Sequence, residues 1–141
     1  MSYLIDTNVI SELRRKNPDP KVVAWFSERA AQSLFLSVLT LGEIRKGIER
    51  LDTAIGDEAR KQSLSDWLEQ DLPTFFLGRL VSVEASIADR WGHLQAKAGR
   101  PLPAIDSLLA ATALVLRNAL GVLGVSAPES MVRAPAAEVP A

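Results

Sequence analysis

The chain alternates short apolar runs with amphipathic stretches, and this alternation limits the folds that it can adopt. Strand-like runs lie at residues 3–5, 34–38 and 80–83, and a helical pattern follows each of them. Consecutive strand–helix units form a parallel sheet whose faces are covered by helices. We therefore predict an α/β protein, with a central parallel sheet between two helical layers.

Apolar residues three and four positions apart define the helical stretches. Helices are predicted from Asp6 to Leu13, around residues 22–26, 44–51 and 64–72 (ending near Pro73), over 85–98, and from Ile105 to about Leu116. Gly99 is a suitable C-terminal cap for the fifth of these helices. The only candidate for a fourth strand is the segment 120–125, which contains two glycines.

Length and composition indicate one soluble domain. The chain has 141 residues, 48% hydrophobic and 23% charged, and a formal net charge of −1, so nucleic-acid contacts would need a local basic patch. It has no cysteine and a single histidine, which excludes thiolate chemistry and histidine-rich metal sites. The longest apolar stretch is too short for a membrane span, and the N-terminus has no secretion signal, so we expect a cytoplasmic protein.

The last part of the chain differs in composition from the rest. Residues 127–141 are rich in alanine and proline and contain little that could form a core. Such a composition is typical of disordered segments. We predict a folded domain over residues 1–125 and a disordered tail over 126–141.

Three acidic residues occupy similar places, at strand ends or helix starts. Asp6 follows the first strand, Glu43 follows the second, and Asp106 opens the apolar helix. Each has an ordinary structural interpretation: Asp6 as a helix cap, Glu43 as part of a capping box with Thr40, and Asp106 as a complement to the helix dipole. If the strands and helices pack side by side, the three carboxylates converge at one sheet edge and form an oxygen-only site of the kind that Mg²⁺ prefers.

Basic residues give two candidate phosphate contacts. Arg45 and Lys46 follow Glu43 closely, and Arg14, Arg15 and Lys16 form a run after the first helix. Such runs bind nucleic-acid phosphates or simply form a solvated helix face, and the sequence leaves both interpretations open. The three tryptophans lie among aliphatic residues at helical spacing, which favours packing over base stacking.

Three segments resemble the PIN-domain ribonucleases, and most closely the VapC-type toxins of bacterial toxin–antitoxin systems. They are YLIDTNVISEL at 3–13, LSVLTLGEIRKG at 36–47 and PAIDSLLAATA at 103–113, in the family's order. The resemblance implies a PIN-like α/β/α sandwich and a Mg²⁺-dependent endoribonuclease, with Mn²⁺ as the alternative metal. It also implies a homodimer and neutralisation by a cognate antitoxin.

The same resemblance implies roles for individual residues. The family's first three acids fall on Asp6, Glu43 and Asp106, which then hold the metal and carry the catalysis. Thr7 and Asn8 line the same pocket and are expected to contact substrate, together with Arg45 and Lys46. A strand-end Asp also begins the haloacid phosphatases, but those enzymes have a second Asp where this chain has Asn8.

The chain departs from the family pattern after the Asp106 helix. The family continues with a short strand, Thr-Arg-Asn and a fourth acid; here Arg117-Asn118 is followed by Gly121 at the acid's position. The last strand is therefore expected to be missing or degraded, through a deletion or through a frameshift near Val115. The alternative function that follows is an inactive PIN domain that only binds antitoxin or sibling subunits. Translating the other two reading frames of the gene tests the frameshift.

Overall fold

Three short parallel strands form the sheet in the computed structural model, which describes residues 2–51 and 56–122. The strands are β1 (Tyr3–Leu4), β2 (Leu34–Ser37) and β3 (Leu80–Val81), in the spatial order β1-β2-β3. The paired residues are Tyr3 with Leu34, Leu4 with Phe35, Leu36 with Leu80, and Ser37 with Val81. All three strands run in the same direction, so their carboxyl ends meet at one edge. The prediction of a parallel α/β sheet is confirmed.

Helices occupy most of the remaining described chain. They are α1 (Thr7–Glu12), α2 (Pro20–Ser27), α3 (Val38–Glu49), α4 (Asp57–Asp66), α5 (Leu72–Phe75), α6 (Ala85–Ala98) and α7 (Ala104–Val122). A single 3₁₀ turn precedes β2, and a π-helical turn (Trp67–Asp71) joins α4 to α5. Helix α6 ends as predicted, because Gly99 adopts a left-handed φ of 64° that other residues rarely tolerate.

The fourth helical stretch ends at Phe75, close to the predicted end near Pro73. The chain passes through the π-helical turn and continues as α5, in which Pro73 lies in the first turn. A proline is tolerated in a first turn more readily than in the interior of a helix.

Helix α7 is longer than predicted. It extends past Leu116 to Val122, so the first three residues of the candidate fourth strand, 120–122, are helical. Arg117, Ala119 and Leu120 are good helix formers, and one interior glycine costs only about 1 kcal/mol. Residues 123–125 and the predicted tail lie outside the described residues, so the tail and the domain boundary at 125 stay predictions.

One hydrophobic core joins the sheet to the helices before β3. It consists of buried side chains from α1, α2, β2, α3, the π-helical turn and α5, together with the residues that directly follow β1 and α5. They are Ile5, Val9, Ile10, Val22, Trp25, Leu34, Leu36, Ile44, Ile48, Leu68, Leu72 and Phe76. Within the described part of the chain, no helix is both long enough and apolar enough to cross a membrane.

Candidate active site

Asp6 lies between β1 and α1, at the edge where the parallel strands end. Its backbone is extended (φ −73°, ψ 152°), and its side chain accepts a hydrogen bond from the backbone N–H of Asn8 at 3.2 Å. Asp6 is therefore the N-terminal cap of α1, in agreement with its ordinary interpretation as a helix cap. The cap uses one carboxylate oxygen, Oδ2, in the bond to Asn8. Capping and participation in a site are thus compatible.

Glu43 is not part of a capping box. Helix α3 begins at Val38, and its cap is Ser37, which accepts a hydrogen bond from the N–H of Leu39 at 3.1 Å. Thr40 lies inside the helix, fully buried, and its hydroxyl accepts a hydrogen bond from that of Thr7 at 3.3 Å. The capping-box interpretation of Glu43 is therefore wrong, and its carboxylate does not serve the helix start.

Asp106 lies in the first turn of α7 and is held there by a polar network around Ser107. The buried Ser107 hydroxyl accepts hydrogen bonds from Trp91 Nε1 at 2.9 Å and from Gln95 Nε2 at 3.2 Å. Gln95 also forms hydrogen bonds with the backbone N–H and C=O of Leu102, just before α7. Trp91 and Gln95 of α6 thus fix the start of α7. No sequence pattern indicates these contacts, because the residues involved are not regularly spaced.

Asp6 is influenced by the other two acids. Burial raises the pKa of the Asp6 carboxyl above its usual value, and the negative charges of Asp106 and Glu43 raise it further, against the hydrogen bonds from the backbone of Asn8 and Thr7. A like charge raises the pKa of a carboxyl only when it lies near that group. Asp106 and Glu43 therefore lie near enough to Asp6 to act on it, and the role of the three as one site stays a prediction.

A divalent cation suits the chemistry of this cluster. Its donors are all carboxylate oxygens, and a cation would offset the burial and the nearby negative charges that raise the pKa of Asp6. Among residues 2–51 and 56–122, however, no group of three or more Asp, Glu or His side chains is placed so that it could hold a metal ion. Mg²⁺ usually keeps several waters and uses one or two carboxylates. The metal site and its ligands stay predictions.

The four predicted substrate-binding residues lie in different surroundings. Thr7 lines a cavity together with Glu43, and Asn8 is exposed at the start of α1. Lys46 is exposed on α3. Arg45 forms ion pairs with Glu69 at 2.5 Å and Glu49 at 3.6 Å, so its charge is largely neutralised within the protein. Thr7 therefore lies near Glu43 and directly after Asp6. The substrate contacts of all four residues stay predictions.

Arg60 is a functional candidate that the sequence does not single out. It lines the same cavity as Thr7 and Glu43, together with Arg14 and Arg15. Arg60 belongs to α4, whose charged residues follow no amphipathic pattern. Only the packing of α4 against α3 brings it to the cavity.

A profile of the PIN domain family matches residues 3–120. The chain is 35% identical over 114 residues to plasmid stability protein StbB of Pseudomonas syringae pv. tomato, with 79% of each chain covered. It is 34% identical over 113 residues to toxin FitB of Neisseria gonorrhoeae, with 78% of each covered, and 30% identical over 114 residues to VapC ribonuclease Y4jK of Sinorhizobium fredii, with 79% of each covered.

Solved structures agree with these sequence matches. The crystal structure of FitAcB from Neisseria gonorrhoeae superimposes with a TM-score of 0.69 at 32% identity, covering 79% of this chain and 80% of that one. The structure of FitAB bound to the IR36 DNA fragment gives a TM-score of 0.71 at 27% identity, covering 89% and 93%. The fold is that of an α/β protein with a three-stranded parallel sheet. The chain belongs to the PIN domain family, and the predicted family is confirmed.

The raised pKa of Asp6 predicts a pH-dependent penalty on folding in metal-free protein. Because the pKa is higher in the folded state, ionisation of Asp6 opposes folding. The penalty is absent below the unfolded value of 3.8, and it is complete above the folded value. Asp6→Asn should therefore raise the free energy of unfolding at about pH 7 by roughly 0.5–2 kcal/mol, the range of single stabilising substitutions.

Urea denaturation in EDTA measures this effect at several pH values. The gain should shrink as the pH falls through the pKa of Asp6. Asp19→Asn is the matched control, because Asp19 caps α2 in the same way, accepting from the N–H of Lys21 at 2.9 Å, outside the acid cluster. Equal pH profiles for the two variants would contradict the prediction.

Proposed function

We propose that this chain is the toxin of a type II toxin–antitoxin system and cleaves RNA phosphodiesters. The observation that carries the proposal is Asp6, which lies at the carboxyl edge of a PIN-type sheet within the electrostatic influence of Asp106 and Glu43. Relatives named toxin FitB and VapC ribonuclease Y4jK support both parts of it. The proposed substrate is RNA, and the proposed location of the protein is the cytoplasm.

Each part of the site has its own task in the proposed reaction. Asp6, Glu43 and Asp106 would hold Mg²⁺ or Mn²⁺, which would supply water activation and stabilise the charge that develops on the phosphoryl group. Thr7 positions Thr40 and the start of α1 through their shared hydrogen bond. The Gln95–Ser107 contact keeps Asp106 at its place in the first turn of α7. These two contacts would fix the start of α1, next to Asp6, and the start of α7, which carries Asp106.

An inactive PIN domain is the second candidate function. It is favoured by Gly121, which stands where the family pattern has a fourth acid. Such a protein would still bind an antitoxin or sibling subunits but would not hydrolyse RNA. The two candidates differ in a single property, which is RNA cleavage.

Metal removal separates the two functions. The purified chain should cleave a labelled single-stranded RNA in Mg²⁺, stop when EDTA is added, and recover when excess Mg²⁺ or Mn²⁺ is returned. A loss of at least about 100-fold in EDTA is expected, because even the outer partners of metal ligands contribute 10- to 100-fold. Absence of cleavage with both metals would overturn the enzyme function and leave the inactive domain.

We also propose a cognate antitoxin as protein partner. Exposed apolar side chains, Phe75 (41%) and Leu77 (81%), lie beside a cavity of about 670 Å³ lined by α1, α2, the π-helical turn and α5. Apolar patches of this kind mark protein interaction sites. Co-expression with the product of a small adjacent gene should give a complex that no longer cleaves RNA. The proposed homodimer is tested on the isolated chain by sedimentation.

A further inference from the structure

A second cavity lies beside one of the three acids. It has a volume of about 260 Å³, and its wall includes Glu43 and Thr7, the residue that follows Asp6. The rest of the wall comes from α1, α3, α4 and the residues that follow them, and it combines apolar side chains with three arginines. We call it the arginine cavity, after Arg14, Arg15 and Arg60. Its position places it next to the proposed active site.

Arg14 is held in a fixed orientation. Its guanidinium lies over the ring of Trp67, 5.4 Å from the ring centroid, and donates a hydrogen bond to Ser63 Oγ at 3.2 Å. Trp67 begins the π-helical turn, a form of helix that occurs often at functional sites. A guanidinium that is already ordered loses less entropy when it binds an anion.

The other two arginines are available for a ligand. Arg15 pairs with Glu12 at 3.1 Å, but its side chain is 71% exposed, and such surface pairs are worth only about 0–1 kcal/mol. Arg60 makes no ion pair or hydrogen bond within residues 2–51 and 56–122. Both side chains can therefore turn to an anion at little cost.

The charge balance of the arginine cavity favours an anion. The lining residues include three arginines and one carboxylate, that of Glu43; Glu12, which pairs with Arg15, does not line the cavity. Arg45, by contrast, is neutralised by Glu49 and Glu69 on the neighbouring surface. The apolar part of the wall, formed by Ile44, Leu64 and Trp67, suits a ribose or base rather than a free inorganic ion.

We propose that the arginine cavity binds the RNA segment next to the cleaved phosphodiester, with Arg14, Arg15 and Arg60 contacting its phosphates. The inference rests on the proposed ribonuclease function and deepens it, because it gives the strand a path from the acids along α1 and α4. Arginine suits this task because its planar fork of donors matches phosphate oxygens. An acidic protein segment is the competing occupant.

Arg60→Gln tests the proposal with little risk to the fold, because Arg60 is exposed and makes no described contact. Arg90→Gln is the matched control: Arg90 is also exposed on a helix, α6, and does not line the cavity. RNA binding is measured by fluorescence anisotropy at several salt concentrations, in an Asp6→Asn background that prevents cleavage. Steady-state cleavage is measured in the otherwise wild-type chain.

Arg60→Gln should weaken RNA binding about 3- to 10-fold and reduce the slope of log affinity against log salt by about 0.7, the value for one phosphate contact on a single strand. It should raise KM with kcat nearly unchanged, since the contact is remote from the reacting atoms. Arg90→Gln should change neither binding nor KM.

Failure of this inference is distinguishable from failure of the proposed function. If the wild-type chain cleaves RNA and Arg60→Gln behaves like Arg90→Gln, the RNA path is overturned and the ribonuclease function stands. If Arg60→Gln weakens only the complex with the antitoxin, the cavity binds protein and the inference is again overturned. If the wild-type chain neither binds nor cleaves RNA, both are overturned.

Discussion

Replacing Asp6 with asparagine should reduce RNA cleavage by at least about 100-fold and leave the fold intact. The substitution keeps the size of the side chain and its ability to cap α1, because an asparagine oxygen can accept the bond from the N–H of Asn8. It removes the carboxylate whose pKa responds to Asp106 and Glu43. Loss of a metal ligand should exceed the 10- to 100-fold effect of its outer partners.

The rate is measured on labelled RNA at saturating Mg²⁺, beside the wild-type chain and Asp19→Asn. Asp19→Asn makes the same chemical change at the cap of α2 and should cleave at the wild-type rate. Circular dichroism and urea denaturation establish that both variants fold. An Asp6→Asn protein that cleaves as fast as Asp19→Asn would remove Asp6 from the active site.

Phe76→Ala should have the largest effect on stability, a loss of about 3–5 kcal/mol in the free energy of unfolding. The Phe76 side chain is fully buried, packs edge-on against Phe75 with ring centroids 4.9 Å apart, and belongs to the core beneath β2 and α5. Its removal leaves a cavity that the surrounding side chains fill only in part. A domain with total stability of about 5–15 kcal/mol would lose a large fraction of it.

Leu77→Ala is the control for this prediction, one residue further along the chain. Its side chain is 81% exposed, and surface substitutions of this kind change stability by less than about 0.5 kcal/mol. Urea denaturation followed by circular dichroism compares the two variants. Similar midpoints for Phe76→Ala and Leu77→Ala would contradict the packing described for Phe76.

The sequence predicts the elements whose signals are local. All three strands occur in the predicted order, and α6 ends at Gly99, because alternation, periodicity and a left-handed cap depend only on neighbouring residues. Helix ends that depend on context are predicted less well. The fourth helical stretch runs two residues past Pro73, and α7 continues past Leu116 to Val122.

In the candidate site, too, local sequence signals single out some residues, and tertiary packing alone brings in others. The family motifs single out Asp6, Glu43 and Asp106, and their roles stay predictions. The structure places Asp6 at the end of β1 and Asp106 in the first turn of α7, but it places Glu43 inside α3 rather than at the helix start. The sequence does not single out Arg60, because only the packing of α4 brings it beside Arg14 and Arg15. The ion pair of Arg45 with Glu69 joins α3 to the π-helical turn beyond α4, where sequence spacing carries no information. The pair of Arg45 with Glu49, four residues apart on α3, is of the kind that helical spacing does indicate.

The most direct test of the central claim, that the three acids act as one metal site, is Mn²⁺ binding followed by electron paramagnetic resonance of the free ion. The wild-type chain should bind Mn²⁺, and Asp6→Asn, Glu43→Gln and Asp106→Asn should each weaken that binding by about 10-fold or more, with Asp19→Asn unchanged. Equal Mn²⁺ affinity in the wild-type chain and all three site variants would contradict the claim.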